Sequence, residues 1–283
     1  MNATEATEST APIVADSAPI LQFISKPGTE EETRIRCRRV VTLIGSRPGC
    51  KLTLRGRAID PVHLAIVNNG SEVVAADLVT AGGSRLNGLK MEHERLSDGD
   101  ILAVGPWEFQ VDLQPQNGVG AADAHPFGLE PTPQVIALEH IATHRILQPN
   151  RQIVILGRRS GCDISVSDPG VSRAHAILFT YFGYPAVFDL LSRNQTLVND
   201  SPVSFQMLHN DDVVTVCQSR FRVRLVESSA PKAAKSADVV RPSVKLAPEP
   251  PSPDMISIQA TEGSQRWHIA DHMTQATPRR SAV

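Results

Sequence analysis

The chain has 283 residues, a formal net charge of −2, and 41% hydrophobic but only 4% aromatic residues. This length accommodates two domains with tails, and the near-neutral charge argues against binding nucleic acid through bulk positive charge. No apolar run reaches about eighteen residues and the N-terminus is acidic, so we predict neither a membrane span nor a secretory signal. The four cysteines form no CxxC pair, which favours free thiols in a reducing cytoplasm.

Taken in chain order, the composition divides the protein into two bodies, a linker and two tails. Residues 1–19 are polar and rich in Thr, Ala and Glu, and we predict a disordered N-terminal tail. A folded body follows over 20–114, a linker with Gly and Pro over 115–133, and a second folded body over 134–227. Residues 228–283 open with an Ala-, Ser-, Pro- and Lys-rich stretch and are predicted to form a disordered tail.

Both folded bodies have the pattern of all-β domains. The β-branched runs VVTLIG and QIVILG end at Gly45 and Gly157, and further apolar or alternating runs are separated by polar turns. Helical periodicity is weak, and the ambiguous segment QVIALEHIATHRIL at 134–147 is predicted to be a strand or a loop. Many short strands with frequent turns predict a β-sandwich of about ninety residues in each body.

The two bodies are copies of one domain. A shift of 112 positions aligns them without a gap over roughly seventy residues. The matched positions fall at predicted turns and core strands: Gly45 with Gly157, Arg47 with Arg159, Cys50 with Cys162, His63 with His175, Asp77 with Asp189, Asn87 with Asn199 and Asp100 with Asp212.

The second copy carries three clusters of polar residues between its predicted strands. They comprise Arg158; then Ser172, Arg173 and His175; then Ser192, Arg193, Asn194, Thr196 and Asn199. Loops at one end of a sandwich can converge on one site. Arginines, hydroxyls and amides suit a dianion with three oxygens, because a guanidinium fork binds two phosphate oxygens by charge-assisted hydrogen bonds. Phosphothreonine, with about −1.5 to −2 charge, is such a ligand.

The ordered motifs GRRSGCDISVSD, VSRAHA, FDLLSRNQTLVN and LHNDDVVTV resemble those of a forkhead-associated (FHA) domain, a phosphothreonine-peptide reader. The resemblance covers about residues 135–227 and implies an eleven-stranded sandwich of the SMAD/FHA type with the ligand held by loops. It implies that Arg158 and Ser172 grip the phosphate while Arg173 lies beside it. It also implies that Asn194 holds the peptide main chain.

The same resemblance assigns supporting roles to further residues of the second copy. It implies that Arg193 and Thr196 shape the peptide-binding loop, and that Asn199 supports this loop or contacts the residue after the phosphothreonine. It implies that His175 pins the loops together and that Gly157 permits a sharp turn before Arg158.

The second copy departs from the family pattern at two positions. Family members usually have Asn-Gly-Thr where this chain has Gln195 in the middle position. A positive φ at Gln195 would cost about 1 kcal/mol more than at Gly, which would affect the grip on the peptide more than that on the phosphate. Asp200 replaces a frequent Gly after Asn199.

The first copy keeps the scaffold but loses the site. The shift places Ser46 at the position of Arg158, Asp60 at that of Ser172, and Gly82 at that of Asn194. A carboxylate at Asp60 would repel a phosphate. We predict a degenerate FHA-like domain that serves docking, dimerisation or support of the second copy.

Catalysis and metal binding have little support in the sequence. Ser172 with His175 lacks an orienting carboxylate and a GxSxG context, so we predict no enzyme. His140 and His144 lack further ligands, so we predict no metal site and no cofactor.

Two functional hypotheses remain open. The first is a non-catalytic cytoplasmic adaptor in Ser/Thr kinase signalling, whose second domain binds a phosphothreonine-containing protein, either a kinase or its substrate. The alternative is a phospho-independent scaffold that uses both domains to bind other proteins. We expect no nucleic-acid or membrane partner. The N-terminal threonines Thr4, Thr7 and Thr10 lie among acidic residues, so a phosphorylated one could bind the second domain intramolecularly at high effective concentration.

Overall fold

The computed structural model describes residues 18–114, 134–149, 151–227, 256–260 and 267–271. Every regular element within these residues is a β-strand, which confirms the predicted all-β fold. The segment predicted to be a linker, nearly all of the predicted N-terminal tail and most of the predicted C-terminal tail lie outside the described residues.

The first domain is a sandwich of eleven strands. In chain order they are β1 (Ile20–Ser25), β2 (Thr33–Cys37), β3 (Val41–Gly45), β4 (Leu52–Thr53), β5 (Leu64–Asn68), β6 (Val73–Asp77), β7 (Ser84–Leu86), β8 (Leu89–Met91), β9 (His93–Arg95), β10 (Ile101–Val104) and β11 (Trp107–Gln114). One sheet has the order β2-β1-β11-β10-β7-β8, and the other contains β4-β3-β5-β6-β9.

The second domain repeats this architecture strand for strand. Its strands are β12 (Gln134–His140), β13 (Arg145–Leu147), β14 (Ile153–Gly157), β15 (Ile164–Ser165), β16 (Ala176–Tyr181), β17 (Tyr184–Asp189), β18 (Thr196–Val198), β19 (Ser201–Val203), β20 (Phe205–Met207), β21 (Val213–Val216) and β22 (Ser219–Glu227). Its sheets have the orders β13-β12-β22-β21-β18-β19 and β15-β14-β16-β17-β20, which match the first domain. The segment at 134–147, predicted to be a strand or a loop, forms two strands joined by a turn.

Each domain buries apolar side chains between its two sheets. In the first domain the rings of Phe23 and Phe109 lie 5.9 Å apart in this core. In the second domain the corresponding core contains Leu156, Leu178 and Phe221. These side chains alternate along their strands with residues that face the other way, which is the period-two pattern of a sandwich.

A third apolar core joins the two domains, and the sequence did not lead us to expect it. It contains Leu43, Ala65 and Val67 of the first domain together with Ile155 and Phe188 of the second, all of them buried. All five residues of β3 and all five of β14 are therefore buried, because each strand faces its own core on one side and the other domain on the other. The two domains thus form a single packed body.

Polar and aromatic contacts between the turn after β16 and the turn after β5 also hold the two domains together. The backbone N–H of Phe182 donates to the carbonyl oxygen of Asn69 at 2.8 Å, and the Phe182 ring packs against Gly70. The side chain of Gln152 donates to Glu72 at 2.8 Å.

The C-terminal region contributes two strands, β23 (Ile256–Ala260) and β24 (Trp267–Asp271). They pair with each other in antiparallel fashion, and β24 pairs in parallel with β4 at the edge of the first domain. Both strands fall within residues 228–283, for which the sequence predicts a disordered tail, and the remainder of that region lies outside the described residues. The short strand β4 pairs with β3 on its other side, so β24 covers what would otherwise be the open edge of this sheet.

Candidate functional site

Three loops of the second domain converge beside the interface with the first domain. Arg158 directly follows β14, Ser172 and Arg173 lie between β15 and β16, and Arg193 lies between β17 and β18. These residues line one cleft of about 760 Å³, so the sandwich brings the three predicted clusters together.

Gly157 allows two of these loops to lie against each other. A Cβ at Gly157 would lie 2.3 Å from the carbonyl oxygen of Arg173, and one at Gly45 would lie 2.4 Å from that of Pro61 in the first domain. The backbone of Gly157 does not have a positive φ. Its structural role is therefore close backbone approach, rather than the sharp turn that the family resemblance implied.

His175 connects the loops from beneath and is fully buried. Its Nδ1 accepts a hydrogen bond from the backbone N–H of Ser172 at 3.1 Å, so its Nε2 carries the proton and donates to the carbonyl oxygen of Gln195 at 3.2 Å. Burial lowers the pKa of His175 below its usual value of 6.5, which keeps the imidazole neutral. Both nitrogens face backbone groups, so the ring does not act as a base for the Ser172 hydroxyl.

The Ser172 hydroxyl is arranged to donate to a ligand. Its Oγ accepts a hydrogen bond from the backbone N–H of Arg193 at 3.1 Å, which leaves the O–H available. The backbone N–H of Arg158 donates to the Ser172 carbonyl at 2.9 Å and ties the two loops together.

Arg158, Arg173 and Arg193 are all exposed and line the same cleft as Ser172. The Nε of Arg158 donates to the carbonyl oxygen of Val171 at 3.1 Å, which orients its guanidinium. Within the described part of the chain, no carboxylate lies within 4.0 Å of Arg158 or Arg193. Arg173 lies 3.8 Å from a carboxylate oxygen of Asp60, with half of its side chain exposed. The loops therefore present positive charge that the fold does not neutralise.

Asn194 lies exposed at the rim of the cleft. Its side-chain amide donates to the carbonyl oxygen of Gly170 at 2.9 Å and thereby bridges two loops. The next residue, Gln195, has a φ of 55°, so it adopts the left-handed conformation that glycine takes most readily. The loop keeps its shape at the expense of left-handed strain.

Thr196 and Asn199 belong to the scaffold under the loops. The Thr196 hydroxyl is fully buried and donates to Asp189 at 2.8 Å. The Asn199 amide donates to Asp212 at 2.8 Å, while its oxygen accepts from the backbone N–H of Val213 at 2.9 Å. The first domain repeats both arrangements through the pairs Ser84–Asp77 and Asn87–Asp100, each at 2.8 Å.

The first domain keeps the loop architecture with other side chains. Its buried His63 accepts a hydrogen bond from the backbone N–H of Asp60 at 3.1 Å and meets the hydroxyl of Thr80 at 3.1 Å. Ser46 occupies the place of Arg158, and its hydroxyl donates to the carbonyl oxygen of Ile59 at 3.3 Å. The arginine and hydroxyl needed for a phosphate are thus replaced.

The first domain also lines the cleft, through residues that the sequence did not lead us to place there. Asp60 Oδ2 lies 2.9 Å from Arg159 Nη2 of the second domain, and both side chains are about four-fifths buried. Arg47 donates from Nη1 to the carbonyl oxygen of Leu191. The match of Arg47 with Arg159 in the repeat was visible in the sequence, but nothing there indicated that the two arginines cross an interface.

Other candidate features occupy ordinary structural positions. His140 and His144 flank a turn and contact Thr143 and Glu139 at 2.7 and 3.2 Å. Within the described ranges, no group of three or more His, Cys, Asp or Glu side chains is placed to hold a metal ion. The described residues also contain no helix long and apolar enough to cross a membrane. The four cysteines are free thiols, and burial raises the pKa of Cys50 to about 12 and that of Cys162 to about 11.

Several solved structures are similar to parts of this chain. EmbR of Mycobacterium tuberculosis in complex with a low-affinity phosphopeptide is 24% identical over 34% of this chain and 26% of its own, with a TM-score of 0.32. The FhaA FHA domain complexed with the intracellular domain of Rv3910 is 30% identical over 32% of this chain and 99% of its own, with a TM-score of 0.29. A domain studied for phosphothreonine-dependent FHA interactions is 30% identical over 32% of this chain and 95% of its own, with a TM-score of 0.30.

One family model matches both sandwich domains. No curated protein matches the chain. The model of the FHA domain matches twice, at residues 42–105 and 154–217, and the two matches are separated by the same 112 positions as the internal repeat. Each match falls within one of the two eleven-stranded sandwiches. The chain therefore belongs to the FHA-domain family and carries two FHA domains in tandem.

Proposed function

We propose that this protein is a non-catalytic adaptor that binds phosphothreonine peptides through its second FHA domain in Ser/Thr kinase signalling. The observation that carries this proposal is that Arg158, Arg173 and Arg193 line one cleft together with Ser172. The only acidic residue that lines this cleft, among the described residues, is Asp60, which already pairs with Arg159.

The charge balance at the cleft favours a dianion over a neutral hydroxyl. Arg158 and Arg193 have guanidinium N–H groups without a carboxylate partner within the described residues. A phosphate group brings about −1.5 to −2 charge and three acceptor oxygens, whereas an unmodified threonine brings neither. Hydrogen bonds to charged groups contribute about 1.5–3 kcal/mol each, so two such bonds favour the phosphorylated peptide by at least about 3 kcal/mol.

The peptide itself has a place beside the phosphate site. Asn194 is exposed at the rim, and its side-chain oxygen can accept a peptide backbone N–H while its amide nitrogen donates to the Gly170 carbonyl at 2.9 Å and to the Cys217 Sγ at 3.5 Å. Thr196 supports this loop through Asp189, which also accepts a hydrogen bond from the Ser192 hydroxyl, whereas Asn199 bonds to Asp212 and Val213 at the other end of β18. Arg193 shapes the loop through the hydrogen bond of its backbone N–H to Ser172.

The proposal is tested with a degenerate library of phosphothreonine peptides and the same library without phosphate. We expect the full chain to bind the phosphorylated library, and Arg158→Ala to lose most of that binding. Arg145→Ala is the matched control, since Arg145 is an exposed arginine on β13 of the same domain that does not line the cleft. Equal binding of both libraries by the wild type would contradict the proposal and favour the phospho-independent scaffold.

The partner is a protein phosphorylated on threonine, which is either a Ser/Thr kinase or a kinase substrate in the cytoplasm. The chain itself offers Thr4, Thr7 and Thr10 among acidic residues, and these threonines lie outside the described residues. If one of them binds the second domain after phosphorylation, deletion of residues 1–17 raises the affinity of the kinase-treated chain for an added peptide. An unchanged affinity would exclude intramolecular binding.

A further inference from the structure

The contacts between the two domains are reciprocal. Arg47 of the first domain donates from Nη1 to the carbonyl oxygen of Leu191 in the second. Arg159, which matches Arg47 in the repeat, donates from Nη1 to the carbonyl oxygen of Val79, which matches Leu191. When a residue of one domain contacts the other domain, and the matching residue of that other domain makes the same contact in return, the two domains pack about a twofold axis. The domains are therefore related by an approximate twofold axis that passes beside the cleft.

The two halves of this arrangement differ at one position. On one side, Arg159 also places Nη2 2.9 Å from the carboxylate of Asp60. Asp60 is the residue that matches Ser172, and the backbone N–H groups of Asp60 and Ser172 bond to His63 and His175 in the same way, each at 3.1 Å. Arg47 matches Arg159 and Ser172 matches Asp60, so the approximate twofold axis relates the Arg159–Asp60 ion pair to Arg47 and Ser172.

That second half has no carboxylate of its own. Within the described residues, no Asp or Glu side chain lies within 4.0 Å of Arg47, and Arg47 is exposed. Arg47 lines the same cleft as Arg158, Ser172 and Arg193. Asp60 of the first domain supplies the anion that pairs with Arg159. At the equivalent position the second domain has Ser172, which is neutral, so the anion that pairs with Arg47 has to come from a ligand.

We propose that Arg47, which belongs to the degenerate first domain, binds the phosphate held by the second domain. This inference rests on the proposed function, because it assigns a further residue to the same phosphate site. Arg47 Nη1 stays on the Leu191 carbonyl, and its remaining guanidinium N–H groups donate to a phosphate oxygen opposite Arg158. The binding site is then composite, and the first domain serves recognition as well as packing.

The test measures the affinity of full-length variants for the tightest-binding phosphothreonine peptide from the library. Arg47→Gln keeps a polar side chain at this position but removes the positive charge and the guanidinium group. We expect a loss of roughly tenfold or more, the fold-change that corresponds to one hydrogen bond to a charged group. Arg57→Ala, an exposed arginine of the same domain that does not line the cleft, is the control and should bind as the wild type.

A second readout separates direct contact from an effect on the loop. The second pKa of a phosphate monoester is about 6, and a guanidinium beside it lowers this pKa in the complex. We expect ³¹P NMR of the bound peptide to show a higher phosphate pKa in Arg47→Gln than in the wild type. Wild-type affinity in Arg47→Gln, or a weakened complex with an unchanged phosphate pKa, would overturn the inference. If the wild type bound no phosphopeptide at all, the proposed function would fail instead.

Discussion

The replacement Gln195→Gly should stabilise the protein, because the structure holds Gln195 at a φ of 55°. Left-handed backbone costs a residue with a Cβ about 1–2 kcal/mol, and Gly removes this cost. Gly also increases the conformational entropy of the unfolded chain, which offsets about 0.5–1 kcal/mol of the gain. The net effect is an increase of about 0.5–1 kcal/mol in the free energy of unfolding. For two domains that unfold together, this corresponds to a rise in Tm of about 1–4 °C.

Chemical denaturation followed by far-UV circular dichroism measures this difference directly. The hydrogen bond from His175 to the carbonyl oxygen of residue 195 uses only the backbone, so it persists in the variant. Gln218→Gly is the matched control, because Gln218 is exposed in a turn and is not among the residues with positive φ. We expect this control to lose about 0.5–1 kcal/mol. Equal destabilisation by both variants would refute the assignment of strain to Gln195.

Three further predictions concern the interface, the loop packing and the buried histidine. Asp60→Asn removes one charge of the partly buried Asp60–Arg159 pair and should lower the free energy of unfolding by about 1–2 kcal/mol, a value between those of surface and buried ion pairs. Denaturant titration at low salt measures this loss, and no loss would indicate that the two domains are independent. Gly157→Ala places a Cβ against the Arg173 carbonyl, so it should destabilise the protein by about 1–3 kcal/mol and weaken phosphopeptide binding. A stable variant with wild-type affinity would show that the two loops need not approach so closely. Burial lowers the pKa of His175, so the unfolded state takes up a proton first as the pH falls through about 6.5, and the free energy of unfolding decreases below that pH. NMR titration of the imidazole should give a pKa below 6.5. A pKa above about 6.5 would mean that protonation of His175 stabilises the protein instead.

The fold was predictable because its signals are local and repeated. Short β-branched runs between polar turns indicated a sandwich, and the shift of 112 positions indicated two copies with equivalent strands. The loop residues were predictable for the same reason, since Arg158, Ser172 and Arg193 each follow a recognisable strand. The sequence raised a positive φ at Gln195 only as a condition, because Gln stands where the family usually has Gly, and the structure gives this residue a φ of 55°.

The interface was not predictable, because its signals are long-range. The uninterrupted apolar run of β14 shows that both faces of the strand are buried, but it does not show what covers the second face. Asp60 was expected to repel a phosphate in its own domain, and in the structure its carboxylate instead pairs with Arg159 of the other domain. Pairings of this kind depend on how two domains meet, which no local motif encodes.

The central claim is that the second domain recognises the phosphate of phosphothreonine. Isothermal titration of the full chain with one peptide, in its phosphorylated and unphosphorylated forms, tests this claim most directly. An advantage of at least about 3 kcal/mol for the phosphorylated form corresponds to a Kd lower by roughly a hundredfold or more. We predict that difference for the wild type and its near disappearance in Arg158→Ala. A Kd that is the same for both forms of the peptide would contradict the account.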